Sequence, residues 1–109
     1  MVVSVESAAL KVIDGVPELR ELWCAHVEYY EEGLPYVFFG DVVRWLEVQP
    51  SETLVMELME RARSVYINGD SHSRNFVLAA FVENIDHGSW LVELLPSPLR
   101  EARNRMRLD

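Results

Sequence analysis

Between Leu19 and Tyr30 the apolar and aromatic side chains return every three or four residues, at Leu19, Leu22, Trp23, His26, Val27 and Tyr30. That spacing puts them on one face of a helix with about 3.6 residues per turn. Pro17 and Glu18 suit a first turn and Gly33 suits an exit, so the pattern predicts a helix over 17–32. Residues 51–67 repeat the arrangement with Leu54, Val55, Leu58, Met59, Ala62, Val65 and Tyr66 on one face. Glu57 and Arg61 are placed for an i,i+4 ion pair on the outer face, and Asn68-Gly69 closes the segment.

Two segments are less plainly periodic. Residues 71–86 include seven consecutive apolar residues, Phe76 to Val82. Such a run fits a buried strand or a central helix covered on several sides; Ala79, Ala80 and the length between breakers favour the helix. Residues 36–48 are rich in β-formers, yet Val37, Phe38, Asp41, Val42, Trp45 and Leu46 follow helical spacing better than alternation. Gly40 weakens that helix, costing about 1 kcal/mol relative to alanine.

Shorter helices are expected over 4–14, with Val5, Ala8, Ala9, Val12 and Ile13 as its apolar positions, over 89–95, and over 98–108. The last has Ser97 as cap, Glu101 three residues into the helix, and Leu99, Ala102, Met106 and Leu108 as its apolar positions. Breaks at Gly15-Val16-Pro17, Gly33-Leu34-Pro35, Gln49-Pro50-Ser51, Asn68-Gly69-Asp70, His87-Gly88-Ser89 and Pro96-Ser97-Pro98 separate these segments. Helices joined so tightly favour antiparallel neighbours. The expected fold is all-α: a single domain over 1–109, built as a bundle or a short stack of antiparallel helical hairpins, with five to seven helices and a basic C-terminal helix or tail over 98–109.

Charge narrows the choice of partner. The 109 residues carry 18 acids against 10 Lys and Arg, a net charge of −8. Affinity for nucleic acid rests largely on bases at phosphates, so no nucleic-acid partner is expected. The acids are unevenly spread: residues 1–50 hold nine against three bases, whereas 96–109 hold two against four. Those last bases, Arg100, Arg103, Arg105 and Arg107, complement a helix C-terminus and are placed to clamp the acidic body. Glu21, Glu28, Glu31 and Glu32 gather on the second helix around Tyr29 and Tyr30. That face is either simply solvated or a docking surface for a basic protein, with Glu21, Glu28, Tyr29, Glu31, Glu32, Tyr36 and Asp41 as the candidate contacts.

Residues for catalysis are sparse. No phosphate loop, dinucleotide fingerprint or zinc spacing occurs, and neither a cofactor nor a metal is expected. Cys24 and His26 are two apart and point in different directions on a helix; Cys24 is expected to be an ordinary buried thiol. Glu83 and His87 offer at most half a metal site. Asp70, Ser71, His72 and Ser73 suit the capping of the next helix. Asp41 falls between Phe38 and Trp45, where a partly buried carboxylate needs a partner, and Arg44 is one turn away. It serves as a structural ion pair, an end-cap after Gly40, or a recognition residue. With a single cysteine, no basic-then-apolar leader and no long apolar run, the chain is expected to be cytoplasmic, without a membrane partner and without enzymatic activity.

The stretch Leu34-Pro35-Tyr36-Val37-Phe38-Phe39-Gly40-Asp41-Val42-Val43-Arg44-Trp45-Leu46, preceded by Pro17-Glu18-Leu19 and Glu31-Glu32, resembles a segment of small acidic bacterial helical proteins. Proteins of that kind are similar to candidate immunity proteins of polymorphic-toxin and contact-dependent inhibition systems. The resemblance spans about residues 17–87 and carries over no catalytic residue. It implies a protein that binds and neutralises a cognate toxin domain. The alternative is a helical adaptor or regulatory module, with a homodimer formed through Trp23, Trp45 or Trp90.

Overall fold

The structure is a computed structural model that describes residues 5–49, 51–86 and 88–107. The break expected at Pro50, the His87 half of the Glu83–His87 pair, and the apolar Leu108 lie outside those residues. The fold grows around the apolar run in the third quarter of the chain. Helix α5 (Ser71–Phe76) leads without a break into a π-helical turn (Val77–Phe81), then a 3-10 turn (Val82–Asn84). Asp70 starts it, its carboxylate accepting the Ser73 N–H at 2.9 Å. Capping by this segment's polar opening is therefore as expected.

One uniform helix over 71–86 does not form. Phe76, Val77, Ala80, Phe81 and Val82 are all buried, leaving Leu78 half-buried and Ala79 exposed. A wider π turn brings a different set of side chains inward than an α turn would. Asn84 Nδ2 donates to the Ala80 carbonyl at 2.6 Å, and Ile85 is extended, so the helix stops early.

Four other helices wall this segment: α1 (Val5–Ile13), α3 (Pro35–Glu47), α4 (Glu52–Asn68) and α6 (Ser97–Arg107) all pack on it. Helix α2 (Pro17–Tyr30) is peripheral and rests on α1 and α3. A 3-10 segment (Trp90–Leu94) completes the chain's described elements, with six α-helices and no strand among the described residues. The molecule measures 38 × 38 × 22 Å. This is the expected all-α class, and the doubtful 36–48 segment is helical.

The buried faces follow the sequence pattern with one rotation. Val55, Leu58, Met59, Ala62 and Val65 of α4 are buried as expected. On α3 the buried set is Phe38, Phe39, Val42, Val43 and Leu46, one position round from the expected stripe, so Val37 and Asp41 face out. The reason is the partner: α3 packs chiefly on the π turn, and the Phe39 ring meets Phe76 edge-on at 5.3 Å. The expected Glu57–Arg61 pair is replaced by Glu60–Arg63 at 3.1 Å, while Arg61 lies across Gly15.

Two of the four C-terminal arginines, Arg100 and Arg103, clamp the body through backbone carbonyls; Arg105 is exposed, and the Arg107 side chain lies outside what is described. Arg100 donates to the carbonyls of Val92 and Glu93, and Arg103, 6% exposed, donates to Ile85 O at 3.3 Å. Ile85 and Glu93 lie at the ends of short irregular segments, where carbonyls lack helical partners, whereas Val92 O also accepts the Leu95 N–H at 3.3 Å. Trp90 Nε1 likewise donates to Glu47 O at 3.1 Å, tying the 3-10 segment to the end of α3.

Two glycines separate helix propensity from steric need. A Cβ on Gly40 would meet nothing closer than Asn84 Nδ2 at 3.9 Å. One on Gly69 would lie 2.5 Å from the Val65 carbonyl oxygen and from Ser73 Cβ, because α4 gives way to α5 within two residues there. Gly40→Ala is expected to stabilise the fold by about 0.5–1 kcal/mol. Gly69→Ala is expected to destabilise it by about 1–3 kcal/mol. Urea unfolding of the two variants checks both signs.

Candidate functional site

Residues 31–34 join α2 to α3, and both ends of that connection are pinned. Glu31 closes α2 in the left-handed region, at φ 63°, ψ 7°. The exit is thus at Glu31, two residues before the expected Gly33. At the other end the Leu34 N–H donates to His26 Nε2 at 3.0 Å. Leu34 immediately precedes the helix, and Pro35 has no N–H of its own to offer.

His26 can accept at Nε2 only as a neutral ring protonated at Nδ1. It is 7% exposed. The ring stacks on Trp23 (centroids 5.3 Å, planes 14° apart), meets Phe38 edge-on at 5.3 Å and tilts against Tyr30 at 4.8 Å. Burial pushes its pKa below the ordinary 6.5, and the nearby Asp41 carboxylate opposes that shift more weakly.

Above this ring cluster, α2 and α3 enclose an open groove of about 400 Å³. Leu22, Ala25, His26, Tyr29 and Tyr30 form one wall; Phe38, Asp41, Val42 and Trp45 form the other. Ala25 is the smallest of them, and it leaves a notch between Leu22 and Tyr29 along α2. The groove is apolar at its base and carries a phenol and a carboxylate at its mouth. It offers shape, ring faces and negative charge, which is the equipment of a binding surface.

The candidate contacts fall into three groups. Tyr29, 80% exposed, and Asp41 line the groove itself. Glu21 and Glu28 are exposed, and helical geometry sets them about 40–60° around α2 from Ala25, along the groove's outer edge. Glu31 and Glu32 are exposed in the connection at its end. Tyr36 is not brought to this face: its ring meets Phe76 edge-on at 5.3 Å, on the other side of α3.

The Asp41–Arg44 pair forms as anticipated but on the surface, with both side chains more than half exposed. Cys24 corrects another expectation, being exposed rather than buried. It lies two residues, about 200° around the helix, from inward-facing His26. Among the described residues no three His, Cys, Asp or Glu side chains group to hold a metal. No helix among them is long and apolar enough to cross a membrane.

His26 and Trp45 line the groove but are absent from the candidate contacts. A signal existed for the first. A histidine within an apolar stripe requires a hydrogen-bond partner, and an unused N–H before a proline-led helix is an available one.

Fold and site together define a small helical protein with an acid-rimmed apolar groove. The model of the family described as "Domain of unknown function (DUF7674)" matches residues 9–108, and the chain belongs to that family. No curated protein and no solved structure matches it.

His26 ties the site to pH. With its folded pKa below 6.5, the unfolded chain binds the proton first, so His26 lends stability in full only above 6.5. That contribution is lost as pH falls from 6.5 through the folded pKa. NMR titration of the imidazole should give a midpoint below 6.5, and His26→Gln should flatten this part of the stability profile. Glu31→Gly is expected to stabilise the fold by about 0.5–1 kcal/mol by relieving the left-handed residue, measured by thermal or urea unfolding.

Proposed function

We propose that this protein is a non-enzymatic immunity protein that binds a basic toxin domain through the α2–α3 face and neutralises it there. The observation that carries the reading is the coincidence of groove and charge. Exposed Tyr29 stands over an apolar notch whose margin bears Glu21, Glu28 and Asp41, with Glu31 and Glu32 at its end. A buried aromatic centre with a charged margin is how interfaces divide affinity from steering. A toxin that acts on nucleic acid is basic where it meets its substrate, so an acidic partner covers that surface by complementarity. The segment Leu34–Leu46 that resembles such immunity proteins contributes Phe38, Asp41, Val42 and Trp45 to the groove.

A second reading, a helical adaptor that pairs with its own copy, draws on the same apolar groove and on exposed Val37. Of the three tryptophans Trp45, in the groove wall, serves it best, since Trp23 packs against the core and the Trp90 N–H is held by the Glu47 carbonyl.

The test is to mix the protein with the product of the adjacent gene at low and at 0.5 M salt, reading both complex formation and toxin activity. A complex that inhibits and weakens with salt is expected. Glu21→Arg with Glu28→Arg should lower affinity at least about tenfold, equivalent to about 1.4 kcal/mol. Absence of any complex at low salt rejects the proposal. A homodimer that persists at high salt by size-exclusion light scattering selects the second reading.

A further inference from the structure

On the side of the molecule formed by α1, α4 and α5 there is a second, polar pocket of about 350 Å³. Its donors come from three elements: Lys11 of α1, Arg61 and Ser64 of α4, and Ser73 of α5. Asn68 and Asp14 also line it. Two bases converging here are notable in a chain of net charge −8. Neither is in an ion pair among the described residues: the carboxylate bridges are Asp41–Arg44 and Glu60–Arg63.

Ser73 closes the inner end of the pocket. It is 2% exposed and lines the pocket, and its amide is the group engaged by Asp70. Its hydroxyl makes no hydrogen bond among the described residues. Its oxygen is not among the buried polar atoms left without a partner; it is reached from the cavity, where it adds one polar group to the wall. The space is kept open by two glycines: Arg61 lies over Gly15, and Gly69 has no Cβ to fill the floor beside Ser73.

We propose that this pocket binds a single phosphate group, as inorganic phosphate or as the phosphate of a small monoester. Donors converging from three helices suit a tetrahedral acceptor better than a planar carboxylate, which presents two oxygens in one plane. Lys11 and Arg61 less Asp14 leave a local charge of about +1, which matches one phosphate group and not a polyphosphate chain. Asp14, also in the lining, can accept a hydrogen bond from the P–OH that inorganic phosphate and a monoester monoanion carry. The volume exceeds that of a bare phosphate and leaves room for a small attached group. This inference does not rest on the toxin-binding proposal, since the pocket shares no residue with the α2–α3 groove.

The experiment is an amide NMR titration of the full chain with inorganic phosphate and with glycerol phosphate, against sodium chloride at matched ionic strength. Saturable shifts at Lys11, Arg61 and Ser73 are expected with a phosphate compound and not with chloride. Lys11→Gln and Arg61→Gln change exposed side chains and should each weaken binding at least about tenfold. Arg20→Gln, an exposed arginine outside the pocket, should leave it unchanged. Tighter binding of the monoester assigns the site to a phosphorylated metabolite; equal or tighter binding of inorganic phosphate assigns it to the free ion. Shifts that do not saturate, that chloride reproduces, or that survive both pocket variants overturn the proposal.

Discussion

Seven consecutive apolar residues, Phe76 to Val82, impose the constraint from which the rest of this fold follows. A helical turn has side chains all the way round, so such a run can leave water only if neighbours stand on nearly every side. Each large side chain in it gains about 1.5–3 kcal/mol when buried. Helices α1, α3, α4 and α6 supply the walls, and the chain widens to a π turn where it must bury five of the seven. Once those four positions around the core are occupied, α2 has no place in the central packing. It lies outside against α1 and α3, with most of its residues exposed, and the groove exists because it does.

The α2–α3 face owes its geometry to a small number of local bonds. The His26–Leu34 hydrogen bond holds the beginning of α3 against the last turn of α2, and the Trp23, Tyr30 and Phe38 rings hold His26. Polar and apolar contacts act on the same ring, so neither can be removed without loosening the other. Glu31 turns the chain with a residue whose backbone would be easier as glycine. Its side chain leaves a carboxylate at the end of the groove.

Much of the architecture was legible in the spacing of apolar residues, since helix periodicity and tight breaks are both local properties. Helices α2, α3 and α4 fall within two residues of the expected bounds at each end. What the pattern could not carry was the direction from which each helix is covered. On α3, Val37 and Phe39 are equally apolar, and only the packing of Phe39 on Phe76 decides which of them turns inward. The same rotation by one position moved Asp41 from an expected half-buried site to the surface. Cys24 was misjudged for a related reason: cysteine is commonly buried, but its place on α2 opposite His26 outweighs that tendency. At the candidate site the glutamates and tyrosines were visible as composition, whereas the groove itself was not. It depends on α2 and α3 meeting across Ala25 and Trp45, twenty residues apart in sequence.

The arginines that donate to carbonyls have an effect on the whole molecule. Arg74, Arg100 and Arg103 hold backbone oxygens of Gly69, Glu93 and Ile85, among others, so part of the chain's small stock of positive charge is spent on the backbone. The 18 acids outnumber the 10 Lys and Arg, and most of those described are exposed. Like charges held on a small body repel, and the repulsion relaxes when the chain expands, so it works against the folded state. Dissolved salt screens that repulsion over about 10 Å at 0.1 M. A cationic body resting on the glutamate margin of α2 would perform the same service locally. The protein would then be firmest when occupied, with its partner acting as a fixed counter-ion.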